Sequence, residues 1–437
     1  MTLPDTRTAV KPLSAVVIGA GGRGTVYGTF AVKYPQQLQV VAVADPRADR
    51  RAQFAIMHDL PPEACYNTWE DLLNDGKKAD VLINCTMDRM HMESTLAALD
   101  AGYDVLLEKP MSPVLHENVR LVQAAEDRGR VLQICHVLRY TAYFQTIREI
   151  VQSGRLGRII SVDHRENLAY WHMAHSYVRG NWRSLAEAGP MILAKCCHDL
   201  DILGWILQQP VTHLQSFGSL TWFKPENAPE GATLRCTDGC PAADTCKYYA
   251  PRIYTQIASD YMRWIVSMDR SEPTMMEALR TGPYGRCVYY CDNDVVDHQT
   301  LNMELANSTT VTMTMQGQGD YEGRTMRYDG TKATLYGKFT EGGDTISIHD
   351  HITGRIEQVQ IPDRSGDGGH GGGDFGIMRS FVNTVNGVPD DSTTTARVSL
   401  ESHLLAFAAE ESRMTKTVIN MAEYRTRVDA EARAIYG

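Results

Sequence analysis

The stretch that most constrains the fold is Ser14-Ala-Val-Val-Ile-Gly-Ala-Gly-Gly-Arg-Gly24, an apolar run closing in Gly19-x-Gly21-x-x-Gly24. Ala15 to Ile18 reads as a strand buried on both faces of a parallel sheet. Residues from Thr25 to Val32 can form a helix, so the glycines stand at a strand-to-helix turn. Gly19 permits the tight turn, Gly21 lets a pyrophosphate approach the backbone, and Gly24 lets the helix pack against the strand. Gly22 and Arg23 complete the loop, and the helix N-terminus offers unpaired N–H groups to phosphates. A glycine fingerprint alone is weak, but a second strand, Leu38 to Ala44, ends in Asp45. A carboxylate there would bind adenosine ribose hydroxyls. It would also repel a 2′-phosphate, whereas Arg47 could tolerate one; NAD is expected ahead of NADP.

The alternation continues. Asp80-Val-Leu-Ile-Asn-Cys85 suits a buried strand and His91 to Ala101 a helix; Tyr103 to Leu107 suits another strand, followed by Glu108-Lys109-Pro110. Such alternation implies a doubly wound sheet whose ligands lie beyond the strands' carboxyl ends, which is where Lys109 falls. The 437 residues exceed one core. We therefore expect a polar leader at 1–13, a Rossmann domain at 14–138 and a second domain at 139–437, with an insertion at 224–256. A net charge of −10 argues against nucleic acid or an anionic membrane as partner. No apolar run is long enough for a membrane span, and the start does not read as an export signal. A cytoplasmic protein is expected.

In the second domain, Met191 to Leu207 reads as one helix with Lys195, His198 and Asp199 on a shared face. An ammonium, an imidazole and a carboxylate so close can move protons. The preceding segment is dense in aromatic and polar groups, among them Tyr170, His175, Arg179, Asn181 and Trp182. Rings cover the C–H faces of a sugar while planar polar groups bind its hydroxyls, so these are candidate substrate contacts. Asp201, Asp297, His298 and His370 are further candidates, His370 in a loop expected to be mobile. Cys236, Cys240 and Cys246 occupy the Gly/Pro-rich insertion, and Cys287 or Cys291 could supply a fourth ligand. A structural zinc site is one reading of these cysteines, reduced thiols or a local disulfide the other.

Taken together, the glycine fingerprint, Asp45, the loop from Thr86 to His91, Glu108-Lys109-Pro110 and His198-x-x-Asp201 resemble the glucose–fructose oxidoreductase, inositol dehydrogenase and rhizopine-catabolism (Gfo/Idh/MocA) family. The resemblance implies a Rossmann domain followed by a domain with a large open, mainly antiparallel sheet. It implies a sugar, cyclitol or derivative as substrate, bound between that sheet and the nicotinamide. Thr86, His91, Glu108 and Lys109 would line the cofactor, and Lys109 and His198 would be the active-site lysine and histidine. An Asp common four residues before that histidine is Ala194 here, with Lys195 beside it. That departure keeps an alternative open: an NAD-dependent glycoside hydrolase that oxidises C3 transiently, eliminates, adds water and recycles NAD. A sheet with one face uncovered also implies a homodimer or homotetramer.

Overall fold

Six parallel strands build the first sheet: β1 (Leu13–Ile18), β2 (Leu38–Ala44), β3 (Cys65–Tyr66), β4 (Val81–Asn84), β5 (Asp104–Leu107) and β6 (Leu132–Ile134). Their spatial order is β3-β2-β1-β4-β5-β6. That is the doubly wound arrangement, with the order reversing beside β1. In the register, Ile18 pairs Ala44 on one side and Asn84 on the other, and Asn84 pairs Leu107. Gly19, Asp45, Cys85 and Glu108 therefore emerge together at one edge. This is a computed structural model, and it describes residues 12–363 and 366–437. Residues 1–11 of the expected leader lie outside the described residues, and Leu13 already belongs to β1.

The chain divides into two units, and the division differs from the expected boundary near 138. The first unit comprises the described residues up to Gln145 with Asp363–Glu401 and Glu431–Gly437; the second is Thr146–Pro362 with Ser402–Ala430. The reason lies in packing. The helix Gly373–Val385 puts Phe375, Ile377, Met378, Phe381 and Val382 into the same core as Val17, Phe30, Ile83 and Leu106. Phe375 meets the Phe30 ring edge-on, 5.6 Å between centroids.

The second unit is built on nine strands: β7 (Ile159–Ala169), β8 (Val211–Ser219), β9 (His298–Leu305), β10 (Thr310–Gly319), β11 (Gly323–Gly330), β12 (Ala333–Thr340), β13 (Thr345–Asp350), β14 (Ile356–Gln358) and β15 (Ile419–Asn420). The order is β14-β13-β12-β11-β7-β10-β9-β8-β15, antiparallel except between β7 and β10. One face buries His164, Glu166, Leu301, Met313, Met315 and Tyr328. The other presents Asp163, Thr312, Thr314, Arg327 and Lys338 around an open trough of about 520 Å³. A polar face of this kind can stand against water by itself.

One local expectation is corrected. The single helix expected over Met191–Leu207 is two, Met191–Ala194 and Cys197–Leu207, broken at Lys195 and Cys196. From Ser219 to Ala250 the insertion holds one turn of 3₁₀ helix, Pro225–Asn227, and otherwise irregular chain.

Candidate active site

The glycine loop is built to let a ligand reach the backbone. Gly19 has φ +89°, and a Cβ there would lie 2.3 Å from the Cys85 carbonyl oxygen. A Cβ on Gly24 would lie 2.0 Å from the Gly19 oxygen, so helix and strand can approach only with glycine at that position. At Gly21 an added Cβ would meet nothing closer than the Arg50 guanidinium, at 3.4 Å. The helix Gly22–Lys33 starts there with no side chain capping it. Its first N–H groups are thus available to phosphate oxygens. Asp45 is buried at the end of β2, where its carboxylate accepts the Ala20 and Arg47 N–H groups at 2.7 and 2.8 Å. The Arg47 guanidinium is turned instead to Asp49. These residues fit a dinucleotide carrying a free ribose 2′-hydroxyl.

Around Lys109 the expected cofactor residues take more specific parts. Arg23 donates to Glu108 at 2.7 Å and to Asp374 at 2.7 Å, and Tyr27 donates to Glu108 at 2.6 Å. The Arg23 side chain is therefore committed to two carboxylates, leaving its backbone for phosphate. Burial pushes the Glu108 carboxyl up, but the Arg23 and Lys109 charges outweigh it and hold the group below its ordinary value. Burial acts likewise on Asp374, where Arg23 and His370 prevail and hold it far below the carboxylate range. His370 packs onto Asp374 at 3.0 Å with half its side chain exposed. Thr86 bonds to the Asn84 side chain through N–H and hydroxyl. His91 is fully buried, with its ring nitrogens against the Pro110 and Thr86 carbonyls at 2.7 and 3.1 Å. It ties the two loops that carry Thr86 and Lys109, whose side chain is half-buried.

In the second unit, sequence reading missed a buried charge network. Lys195 reaches Glu166 and Glu322, both at 3.1 Å. Arg324 reaches Glu166 at 2.8 Å and Asp199 at 2.7 Å. His164 bonds Asp199 at 2.7 Å and His172 bonds Glu322 at 3.0 Å. Burial alone would lower the Lys195 ammonium, but Glu166 and Glu322 raise it well above its ordinary value, so it stays charged. Burial would raise Asp199, yet Arg324 and His164 hold it far below the carboxylate range. Asp199 thereby anchors the helix Cys197–Leu207 to β7 and β11, and His198, also buried, is the second residue of that helix. Period-two spacing of His164 and Glu166 on β7 was the one signal available beforehand; it marks a shared face but names no partner.

The other expected contacts separate by burial. His175 is enclosed, bonded to the Tyr254 hydroxyl at 2.8 Å and stacked on Tyr284 at 4.6 Å. Burial lowers it to about 3, so it is a neutral core group and not a ligand-facing one. Arg179 is fully buried, donating to the Arg286 and Tyr248 carbonyls at 2.7 Å. Asp297 is spent on Thr221, Trp222 and His298. These three are corrected to interior roles. Asp201 is buried on the His198 helix, whereas Tyr170 and Trp182 are half-buried and Asn181 and His298 exposed. None of the ten cysteines forms a disulfide. Among the described residues no three His, Cys, Asp or Glu side chains form a ready metal-ligand group, so zinc is not shown.

A Rossmann sheet with an open glycine cradle, joined to a mainly antiparallel nine-stranded sheet, defines a class: the chain is an NAD(P)-dependent oxidoreductase. Residues 13–136 match the family described as "Oxidoreductase family, NAD-binding Rossmann fold", and residues 144–258 match its C-terminal domain, together more than half of the chain. The protein belongs to the Gfo/Idh/MocA family. It is 24% identical over 332 residues to YteT of Bacillus subtilis (strain 168), named as an oxidoreductase, covering 72% of this chain and 74% of that protein. It is 32% identical over 173 residues to a 1,5-anhydro-D-fructose reductase of Ensifer adhaerens, covering 39% and 49%. With an inositol 2-dehydrogenase of Salmonella typhimurium it shares 27% identity over 198 residues, 45% and 55% of the two chains. The chain thus spans about half the length of these last two relatives. An Agrobacterium radiobacter oxidoreductase solved with NAD+, L-tartaric acid and magnesium has a TM-score of 0.68 at 14% identity, covering 94% of this chain and 99% of that one. The WlbA dehydrogenase of Chromobacterium violaceum, solved with NADH and UDP-GlcNAcA, gives 0.63 at 14%, covering 96% and 98%. At these identities the structural likeness is one of fold. Among the described residues no helix is long and apolar enough to cross a membrane.

Proposed function

We propose that this protein oxidises a secondary alcohol of a sugar, cyclitol or sugar derivative, or reduces the corresponding ketone, with NAD preferred over NADP. Bound NAD supplies the hydride acceptor or donor. The Gly19–Gly24 loop holds its phosphates, Asp45 its ribose, and Thr86, Glu108 and Lys109 the sheet edge beside it. His198 is the group that takes or returns the hydroxyl proton, and Lys109 is a donor that stabilises developing negative charge. Asp199 positions His198 through the helix they share, and Lys195 balances the carboxylates beneath it. Tyr170, Asn181, Trp182, His298 and His370 keep side-chain surface to offer a polyol, while Asp201 is buried on the His198 helix.

The observation that supports this reading most is the common sheet edge where the glycine loop, Asp45 and Glu108-Lys109 follow β1, β2 and β5 in register. The named relatives, an inositol 2-dehydrogenase among them, supply the substrate class. No observation favours the glycosidase reading, because Lys195, which motivated it, is held charged between two carboxylates. Ten cysteines with no disulfide among them support a cytoplasmic setting. A homodimer or homotetramer belongs to the same reading.

The test is steady-state reduction of NAD and NADP against a panel of inositols, aldoses, anhydro sugars and nucleotide sugars. Turnover with at least one polyol is expected. Lys109→Ala and His198→Ala should each lower kcat by about 10²–10⁴-fold, while His198→Ala leaves NAD binding nearly unchanged. Absence of turnover across the panel, or full kcat in both variants, would sink the reading.

A further inference from the structure

The insertion after β8 and the segment that follows the helix Glu272–Thr281 together form a second built site, unrelated to the hydride chemistry. Cys236, Cys240, Cys246 and Cys287 all line one small enclosed cavity of about 10 Å³. That is roughly the space of a single water-sized sphere. The backbone delivers the four from two directions. Arg235 and Arg286 form an antiparallel bridge, with the Cys236 N–H on the Gly285 carbonyl and the Cys287 N–H on the Leu234 carbonyl, both at 2.9 Å. Cys240 and Cys246 flank a tight turn, with Ala243 N–H on the Cys240 carbonyl at 3.2 Å and Cys246 N–H on the Ala242 carbonyl at 2.8 Å.

Arg179 supplies the independent observation. Its guanidinium lines the same cavity and has no solvent exposure. Nε donates to the Arg286 carbonyl and Nη2 to the Tyr248 carbonyl, with the Cys236 sulfur 3.6 Å from Nη2. Nη1 makes no hydrogen bond. The groups that favour its charge are Cys236, Tyr254, Cys291 and Cys287, with no carboxylate among them. An arginine is always ionised, and a buried cation without a counter-anion is costly. The acidic groups that line this cavity are the four thiols and the phenols of Tyr248, Tyr249 and Tyr289, and of these the thiols are intrinsically the more acidic and the better metal ligands.

We propose that Cys236, Cys240, Cys246 and Cys287 bind one structural zinc ion, with Arg179 as the charge partner of the resulting tetrathiolate. Four S–H bonds break and four Zn–S bonds form; the protons leave to solvent and no electron moves. Zinc with four thiolates is doubly negative and tetrahedral, and thiolate ligation suits it over harder cations. No three of the sulfurs are yet drawn into a finished ligand set. All four side chains line one space, and the ligand set forms if they turn toward its centre. The ion gives the irregular chain between Ser219 and Ala250 the staple that its own core does not supply.

Elemental analysis of the untagged 437-residue chain is expected to give close to one zinc per chain. A Cys65→Ser control should keep it, and the double variant Cys240→Ser/Cys246→Ser should fall below about a tenth of that. Arg179→Gln should speed release of the ion to a chelator by about 10–100-fold, as loss of an outer partner does. Because the double variant can also misfold, wild-type protein exchanged with cobalt is measured beside it. Thiolate-to-cobalt charge transfer and tetrahedral d–d bands are expected there, and X-ray absorption of the zinc form should show four sulfurs at about 2.3 Å. Wild-type protein without stoichiometric metal, two disulfides by intact mass, or fewer than three sulfur ligands would overturn the proposal.

Discussion

Asp45 serves two ends at once. Its carboxylate holds the Ala20 N–H, and so shapes the glycine loop, and in the function proposed above it also binds the adenosine ribose. Arg47 is occupied by Asp49 and cannot easily turn to a 2′-phosphate. Asp45→Ser, which removes the charge and keeps a small acceptor, should therefore move the kcat/KM ratio toward NADP by about tenfold or more. Measuring both cofactors with one substrate checks this, and an unchanged ratio would count against the assignment. His175 makes a second residue-scale prediction, about pH. Its folded value of about 3 lies below the ordinary histidine value near 6.5, so the unfolded chain binds the proton first. Stability from this group is complete above about pH 6.5 and is lost as pH falls from there toward 3. Wild-type protein should lose a few kcal/mol more between pH 7.5 and 4.5 than His175→Gln, which keeps a partner for the Tyr254 hydroxyl. Parallel urea denaturation at the two pH values measures the difference.

At the scale of elements, the two-residue break at Lys195 and Cys196 puts the ammonium onto the sheet and lets a new helix start beneath His198. Apolar periodicity pointed to one continuous helix because the groups that decide the matter are remote. Glu322 is 127 residues from Lys195, and Arg324 is 125 from Asp199. Strands and their faces were legible, since period-two burial is local; the partners of a buried charge were not. The same remoteness separates His175, Arg179 and Asp297, read as sugar contacts from their chemistry, from their actual enclosed settings. The network makes a specific energetic prediction. Lys195→Met leaves Glu166 and Glu322 facing each other without their shared cation, and should cost about 3–5 kcal/mol. Adding Glu166→Gln removes one of these carboxylate charges, while Arg324 keeps Asp199. The double variant should recover more than about 1 kcal/mol relative to the sum of the two single losses, measured as a double-mutant cycle by chemical denaturation. Simple additivity would mean that the pair does not interact.

At the scale of the molecule, the first unit is not a contiguous stretch of chain, and this was the least legible feature. Phe375, Ile377, Met378, Phe381 and Val382 advertise a buried helix face, but nothing in their spacing says which core they enter. They enter the Rossmann core, and Asp374 at the start of the same helix closes onto Arg23 of the glycine loop. Five such side chains contribute about 1.5–3 kcal/mol each, an upper estimate from area alone. Their sum is of the same order as the whole stability of an ordinary domain, about 5–15 kcal/mol. A fragment of residues 12–145 should therefore fail to melt cooperatively and should not bind NAD, despite carrying all six strands and the full fingerprint. Joining residues 363–401 to it through a flexible Gly/Ser linker should restore both properties. Near-ultraviolet circular dichroism on heating and nucleotide titration by tryptophan or tyrosine fluorescence read the two outcomes. If the shorter fragment melts cooperatively and binds NAD as tightly as the joined one, the returning helix is an accessory to the Rossmann unit and not part of its core.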